Sequence, residues 1–329
     1  MTNTETVCLD IESAYAPTIA VMTDHCSPED SHVVIEAAVA ELTGAHPIQL
    51  DARDFMLGGA GGVAIRDGGR LALTDRHGLQ VTPDVLIVYQ IDPDDRQLFE
   101  PFQAVLQSST VSCLGAGNVQ AWRDATDKSR TVARFVADKV RHAETIALQR
   151  PSRSAAFAAF DRLGGDVWAR PTKGTRGHDV FHIDTSAKLL DALDYYAAIE
   201  QDWLVSRDAG NWNQDRRRHQ FRVIVLGERV IRVSEHVQDD PDMPCNRGRG
   251  AHTQTLPVQS LPAEFHTLAI AATKSLGLPF GGVDLSIENG GMVFEVNVHP
   301  ALSMHTSLES VAIPFVAEHL AQMAMTGLH

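Results

Sequence analysis

The 329-residue chain has no run of about 18 apolar residues, and this excludes a membrane-spanning helix. Residues 1–16 carry Glu5, Asp10 and Glu12 and no basic residue, the wrong charge for a secretory or transit peptide. That segment reads as a disordered or strand-like leader, and a cytoplasmic location is the expectation. Cysteine is scarce and scattered: Cys8, Cys26, Cys113 and Cys245 form no C-x-x-C pair. They read as free thiols in a reducing compartment, with neither a disulfide frame nor a zinc site. Fifteen histidines make no H-x-x-x-H or H-E-x-x-H on a helix-like stretch, so a histidine metal site is unsupported. Basic residues are also in deficit, 28 Lys and Arg against 42 Asp and Glu, for a formal charge of -14. Nonspecific nucleic-acid binding, which needs local positive charge for phosphates, is therefore not expected. No Ser-His or Cys-His arrangement marks a covalent nucleophile.

What is present is ordinary for a globular protein, 44% hydrophobic and 21% charged, and long enough for two or three packed subdomains. The first third reads as an open α/β unit. APTIAVMTD (residues 16–24) is a buried parallel strand by its apolar run. SPEDSHVVIEAAVAELTGAH is a helix, with Ser27 as N-cap, Glu29 and Asp30 in the first turn, and Gly44 as the stop. HPIQLDA and PDVLIVYQI are two further strands, separated by a hairpin-like GGVAIRDGGRLALTDRHG. This order is a Rossmann-like half without a G-x-G-x-x-G after the first strand, so an NAD-dependent oxidoreductase is disfavoured.

A boundary falls near residues 115–118. DATDKSRTVARFVADKV reads as one amphipathic helix with Thr131, Phe135 and Val136 along a face. DVWARPTKGTRGHDVFHID is a strand, a glycine-bearing turn and a strand; SAKLLDALDYYAAI is a helix, and DWLVSRDA a strand running into a polar loop. QFRVIVLGERVIRVSEHV is a hairpin turning at Gly227, and PAEFHTLAIAATKSLG a helix. GGVDLSI and MVFEVNV are strands joined by ENGG, and a final helix ends the chain. No internal repeat or low-complexity tract is visible.

The most informative residues are Asp284, Glu295 and Asn297. Residues two apart on a strand share a face, and the short ENGG turn brings Asp284 opposite the other two. Two carboxylates and an amide oxygen then converge, a hard donor set suited to Mg²⁺ on nucleotide phosphates. A solvated strand face with a chance charge pair is the alternative; Phe294, Val296 and Val298 argue against it by making the opposite face apolar. The KGTRG turn, with Lys173, Gly174, Thr175, Arg176 and Gly177, offers backbone N–H groups and two cations to phosphate oxygens, although any β-turn can hold two glycines. Lys128 and Arg170 are single cations within reach of a nucleotide, or surface side chains. Arg222 lies two residues from Gln220 on an apolar strand, so its guanidinium faces an internal cleft, where its fork suits a carboxylate or phosphoryl oxygen. The DDPDMPCNRGRGAH loop fits either a substrate loop or a long surface connection.

Taken in order, these segments resemble the ATP-grasp superfamily, and within it the RimK-like branch of carboxylate–amine ligases. That likeness runs from NVQAWRDATDKSRT to the last helix. DKSRT is similar to D-K-x-x-T, which implies Lys128 on the nucleotide phosphates. ARPTKGTRGHDV resembles K-P-x-x-G-x-x-G-x-x-V, the glycine loop over those phosphates. DWLVSRDA resembles the joining segment that receives adenine on its backbone, at Val205 and Ser206. QFRVIVLGERV is similar to D-x-R-x-x-V-x-G, with Arg222 at the phosphoryl or acyl group. NRGRGA resembles N-x-x-R-G-G, which implies Asn246 and Arg249 in the active-site loop. DLSI…FEVNVHP resembles D…E-V-N-x-x-P, implying Asp284, Glu295 and Asn297 as magnesium ligands. The chain departs from the pattern in three places: Arg170 replaces a lysine, Gln220 an acidic residue, and Ser206–Arg207 a Gln-Glu pair.

The resemblance implies a fold of α/β and α+β character. A Rossmann-like pre-ATP-grasp domain over residues 1–115 precedes a two-lobed ATP-grasp fold, with lobes over 116–205 and 206–329. It implies an ATP-dependent ligase that joins a carboxylate to an amine through an acyl phosphate, with Mg²⁺ or Mn²⁺. The expected partner is a small amino-acid-like substrate or else a peptide, with no nucleic acid and no membrane; a homodimer is compatible with the acidic surface. A peptide maturase, an intramolecular cyclo-ligase and a catalytically silent nucleotide-binding regulator stay open beside it.

Overall fold

The computed structural model of the chain describes residues 16–25, 30–174 and 177–326. The first unit holds β1 (Ile19–Thr23), α1 (Ser31–Thr43), β2 (Ile48–Asp51), β3 (Gly62–Ile65), β4 (Leu71–Thr74), β5 (Gln80–Val81), β6 (Val85–Tyr89) and α2 (Arg96–Gln107). Strands β1, β2 and β6 form a parallel sheet in the order β2-β1-β6, and every residue of β1 and β6 is buried, as their unbroken apolar runs require. Strands β3 to β5 make a small antiparallel sheet beside it. Helix α1 ends at Gly44, whose φ of +73° lets its N–H reach the Ala40 carbonyl, a turn that glycine enters without strain. Ser27 and Glu29, expected at the start of that helix, lie outside the described residues.

The expected single helix over 124–140 is two. Helix α3 (Val119–Thr126) stops where Asp127 turns extended and caps α4 (Lys128–Ala137), accepting from the Ser129 and Arg130 N–H groups at 2.9 and 3.3 Å. Thr131 and Phe135, four apart, are buried; Val136 is 63% exposed, because a residue five on has rotated off the face.

A second unit is an antiparallel sheet in the order β7-β10-β8-β9, built from β7 (Thr145–Leu148), β8 (Val167–Pro171), β9 (Phe181–Ile183) and β10 (Trp203–Arg207). Its core joins these strands to helices α5 (Arg153–Arg162) and α6 (Ser186–Ala198), with Tyr196 stacked on Trp203 at 4.9 Å.

The third unit is a five-stranded antiparallel sheet in the order β13-β12-β11-β14-β15. Its strands are β11 (Arg218–Leu226), β12 (Arg229–Gln238), β13 (His252–Leu256), β14 (Phe280–Ser286) and β15 (Met292–Asn297), with helix α7 (Ala263–Ser275) against them. Helices α8 (Met304–Ser307) and α9 (Ile313–Thr326) close the chain by packing on α1 and β6 of the first unit. Both large cores therefore cross between the first and third units: one joins Leu86 and Phe102 to Val283 and Val296, the other Val21 and Ile87 to Phe280 and Phe315. Among the described residues no helix is long and apolar enough to cross a membrane, and Cys113 and Cys245 are free thiols that burial pushes up to about 12.

His219, 5% exposed on β11, sits between two carboxylates. Its Nδ1 is 2.6 Å from Glu235 Oε1 and its Nε2 2.6 Å from Glu288 Oε1, which ties β11 to β12 and to the turn after β14. Burial opposes the imidazolium, but the two carboxylate bonds outweigh it and raise the ring above its ordinary value of 6.5. A raised native value stabilises fully below pH 6.5 and is lost as pH climbs through it. Urea unfolding across pH 6 to 9 should show the wild type losing about 1–3 kcal/mol more than His219→Gln. Parallel losses in the two proteins would remove His219 from the explanation.

Candidate active site

The β14–β15 hairpin sets Asp284 opposite Glu295 and Gly282 opposite Asn297. A bulge follows: Asp284 pairs with Glu295, but Leu285 pairs with Val293, so Phe294 is the extra residue. The bulge corrects the expected placement of Phe294 on the apolar face. Val293, Val296 and Val298 take the core, while Phe294 lines the cleft and offers its carbonyl to Arg170 Nη1 at 3.0 Å.

Asp284, 3% exposed, receives both arms of Arg222 from the neighbouring strand, Nε to Oδ1 at 2.7 Å and Nη2 to Oδ2 at 2.6 Å. Burial, opposed by Arg222 and reinforced by Glu295, leaves the Asp284 carboxyl above the usual carboxylate range. For Glu295 burial is outweighed by Lys128, Arg170 and Arg222, which hold it below that range. Asn297 Nδ2 donates to the Gly282 carbonyl and to Asp284 Oδ2, both at 3.4 Å, which leaves its Oδ1 as an acceptor.

The cleft lies between the four-stranded and five-stranded sheets. Lys128 opens α4 and donates from Nζ to the Gly174 carbonyl at 2.9 Å; burial lowers its pKa against the pull of Glu295. Arg170 on β8 is likewise lowered by burial, and its Nε is buried without a hydrogen-bond partner among the described residues. Gly177, at φ +68°, is pressed against Pro244, Asn246 and Arg249, where a Cβ would stand 3.2–3.3 Å from their side chains. Ser206 lines the cleft and bonds Thr145 Oγ1 at 2.8 Å, while the Val205 side chain packs into the core of its own sheet. Lys173 does not line the cleft; it borders a neighbouring hollow with Glu100 and Arg123. Thr175 and Arg176 lie outside the described residues.

Asn246 and Arg249 part company. Asn246 lines the cleft and accepts from Gly248 N at 2.8 Å. Arg249 turns away, donating from Nε to the Gly177 carbonyl at 3.0 Å and lying 2.9 Å from His178 Nδ1. The next arginine back, Arg247, instead borders a second hollow of ≈ 440 Å³ that shares Lys128, Gly174, Asn246 and Glu295 with the cleft.

Sequence reasoning missed Arg218. It is 2% exposed, stacked between Trp168 (4.9 Å) and Trp212 (4.2 Å), with Nη1 on Asp208 Oδ2 at 2.6 Å and Nε on the Pro241 carbonyl at 2.6 Å. It ends a run of three arginines, Arg216 to Arg218, and nothing in that run distinguishes it from its two neighbours. Asp166, His182 and Asp208 stand close enough to share a cation, but the Arg218 guanidinium already fills that role, its Nη2 lying 3.3 Å from His182 Nε2.

Asp284, Glu295 and Asn297 form an all-oxygen donor set, and the buried, unpartnered Arg170 Nε is a donor that a phosphate oxygen would satisfy, so these residues fit a magnesium nucleotide.

Two lobes closing on such a hairpin define an ATP-grasp fold. Solved structures agree: the ATP-grasp ligase PsnB with its minimal precursor (TM-score 0.66, 17% identity, 93% of this chain and 98% of that one) and D-alanine–D-alanine ligase from Bacillus anthracis (0.65, 13%, 95% and 98%). The RimK-like ATP-grasp domain matches residues 125–317, and the chain belongs to that family. A probable alpha-L-glutamate ligase from Haemophilus influenzae strain PittEE is 32% identical over 164 residues, 48% of this chain and 51% of that protein. One from Pasteurella multocida strain Pm70 is 37% identical over 85 residues, 26% of each. The chain spans about half the length, or less, of the curated relatives it matches.

If the hairpin carries the metal, Glu295→Gln should weaken Mg-ADP binding about tenfold or more while leaving ADP binding in EDTA unchanged, as read by calorimetry. Equal losses with and without Mg²⁺ would remove Glu295 from the metal.

Proposed function

We propose that the protein is an ATP-dependent carboxylate–amine ligase that releases ADP and phosphate. The observation that carries this reading is the gathering of Asp284 and Glu295 with Lys128 and Arg170 in one interlobe cleft, with Asn297 bonded to Asp284 from the adjoining hollow. Lys128, Arg170 and the backbone of the loop at Gly174 and Gly177 hold phosphate oxygens, and the strand end at Ser206 receives the base. Asp284, Glu295 and Asn297 hold Mg²⁺, which when bound neutralises charge on the transferring phosphoryl group; Mn²⁺ suits the same oxygens.

Two steps follow. A substrate carboxylate oxygen attacks the γ-phosphorus and ADP leaves, giving an acyl phosphate. The amine then attacks the carbonyl carbon, phosphate departs, and the nitrogen loses a proton. Arg222 supplies positive charge at the oxyanion of the second step, held in aim by its two bonds to Asp284. Arg249 is assigned a positioning role, holding the glycine loop through Gly177 rather than touching substrate. The second hollow, walled by the first unit, is sized for a small amino-acid-like substrate. The alpha-L-glutamate ligase name of the relatives points the same way.

Incubation with Mg-ATP and pooled amino acids should release ADP and phosphate in an amino-acid-dependent manner, and Arg222→Met should cut that rate by about 10²-fold or more. Formation of AMP and pyrophosphate would sink the acyl-phosphate mechanism. Nucleotide binding with no turnover on any amino acid or peptide would favour a silent regulator.

A further inference from the structure

The second hollow concentrates positive charge in a chain whose formal charge is -14. Lys128, Arg222, Arg247 and Arg96 line it, against Asp92 and Glu295 as its carboxylates among the described residues. Two of these cations are already engaged. Arg222 is matched by Asp284, and Lys128 is bound to the Gly174 carbonyl beside Glu295.

Arg96 and Arg247 are different. Arg96, at the start of α2 in the first unit, makes one hydrogen bond, Nη1 to Thr126 Oγ1 at 2.9 Å, and lies 5.7 Å over the Trp122 ring. Its Nε is buried with no partner, and burial lowers its pKa to about 10 despite Asp92 nearby. A guanidinium partly withdrawn from water without a bonded carboxylate is costly unless something else completes it. Arg247 is exposed where the loop after β12 borders the same hollow, and among the described residues it forms no ion pair. Neither arginine lines the nucleotide cleft, and Arg170, which does, is absent from this hollow. The phosphate-side and hollow-side guanidiniums are thus divided between two chambers.

The position of Arg96 relative to the metal hairpin is fixed. Tyr89 Oη donates to the Pro300 carbonyl at 2.7 Å and Ile91 N–H to His299 Nδ1 at 3.4 Å, fastening the end of β6 to the exit of β15. Gln90 between them is 4% exposed, lines the same hollow and holds a left-handed φ of +57°, a backbone cost met where this wall is shaped.

We infer that Arg96 and Arg247 form a two-armed clasp for a second oxyanion of the substrate, a carboxylate or phosphate remote from the reacting carboxylate. The inference rests on the ligase reading and deepens it: the substrate is at least a dianion, and the first unit, not only the ATP-grasp lobes, selects it. Arg96 and Arg247 act as specificity residues, and neither takes part in phosphoryl transfer.

The test is calorimetry on the full chain with Mg-ADP present, titrating glutarate, butyrate and inorganic phosphate in turn. Glutarate should bind about tenfold tighter than butyrate. Arg96→Met should bring the two within about twofold while Mg-ADP affinity stays unchanged. Because Arg96 is partly buried, the exposed Arg247→Met gives a second reading free of folding effects and should weaken glutarate to a similar degree. Phosphate binding tighter than glutarate, and lost in the same variants, would support the clasp with a phosphate-bearing substrate. Equal affinity for glutarate and butyrate in the wild type would overturn it, as would a preference surviving both substitutions. A fall in Mg-ADP affinity in Arg96→Met with the glutarate preference intact would also overturn it, by assigning Arg96 to the nucleotide. The ligase reading fails separately, by loss of Mg-ADP binding in the wild type.

Discussion

The bidentate contact between Arg222 and Asp284 is the constraint on which the rest of the site depends. Both residues sit in the middle of adjacent strands, directly paired in register, so sheet formation and site formation are one event. Breaking a buried pair of this kind from one side leaves an uncompensated charge, at a cost of about 3–5 kcal/mol. Glu295 comes to rest beside Asp284 because β15 pairs with β14, and the two carboxylates tolerate each other because Lys128, Arg170 and Arg222 stand around them. Remove the arginine and the like charges have one cation fewer to share.

The lobes and the first unit are held by different means. Between the first and third units the contact is apolar and continuous, two cores that each draw on both. Between the four-stranded sheet and the five-stranded sheet it is polar and local, through Arg218 with its two tryptophans and Asp208, and through Arg249 on the Gly177 carbonyl. Apolar burial resists displacement over a wide area, whereas a few directed bonds can be exchanged for others. The side of the cleft formed by the four-stranded sheet is therefore the adjustable one, and the hollow walled by Arg96 the fixed one.

The sequence was most readable where a physical rule acts over short range. Alternation on β15 and a tight turn were enough to bring Asp284, Glu295 and Asn297 together, and the apolar runs of β1 and β6 announced a buried parallel sheet. Helix α2 escaped notice because Pro101 stands inside it, and β13 because HTQTL is polar and exposed on a sheet edge. The single helix expected over 124–140 failed on one residue, Asp127, whose capping bonds outweigh continuity. Arg249 was matched by motif spacing, yet the three-residue turn after Asn246 rotates it towards Gly177 and leaves Arg247 at the hollow. Arg96 and Arg218 were out of reach, since each draws its meaning from partners that only the fold brings near.

The supernumerary Phe294 has a consequence for how this molecule can change over generations. Without a bulge, every alternate position of β15 would answer to either the core or the cleft in strict phase. With it, Val293 and Glu295 each keep their own side, and Phe294 is released from the core while still lining the cleft and bonding Arg170 through its backbone. The backbone bond survives any side chain at that position. Mutational drift at 294 can thus reshape the chamber while the hydrophobic interior and the carboxylate pair are inherited unaltered.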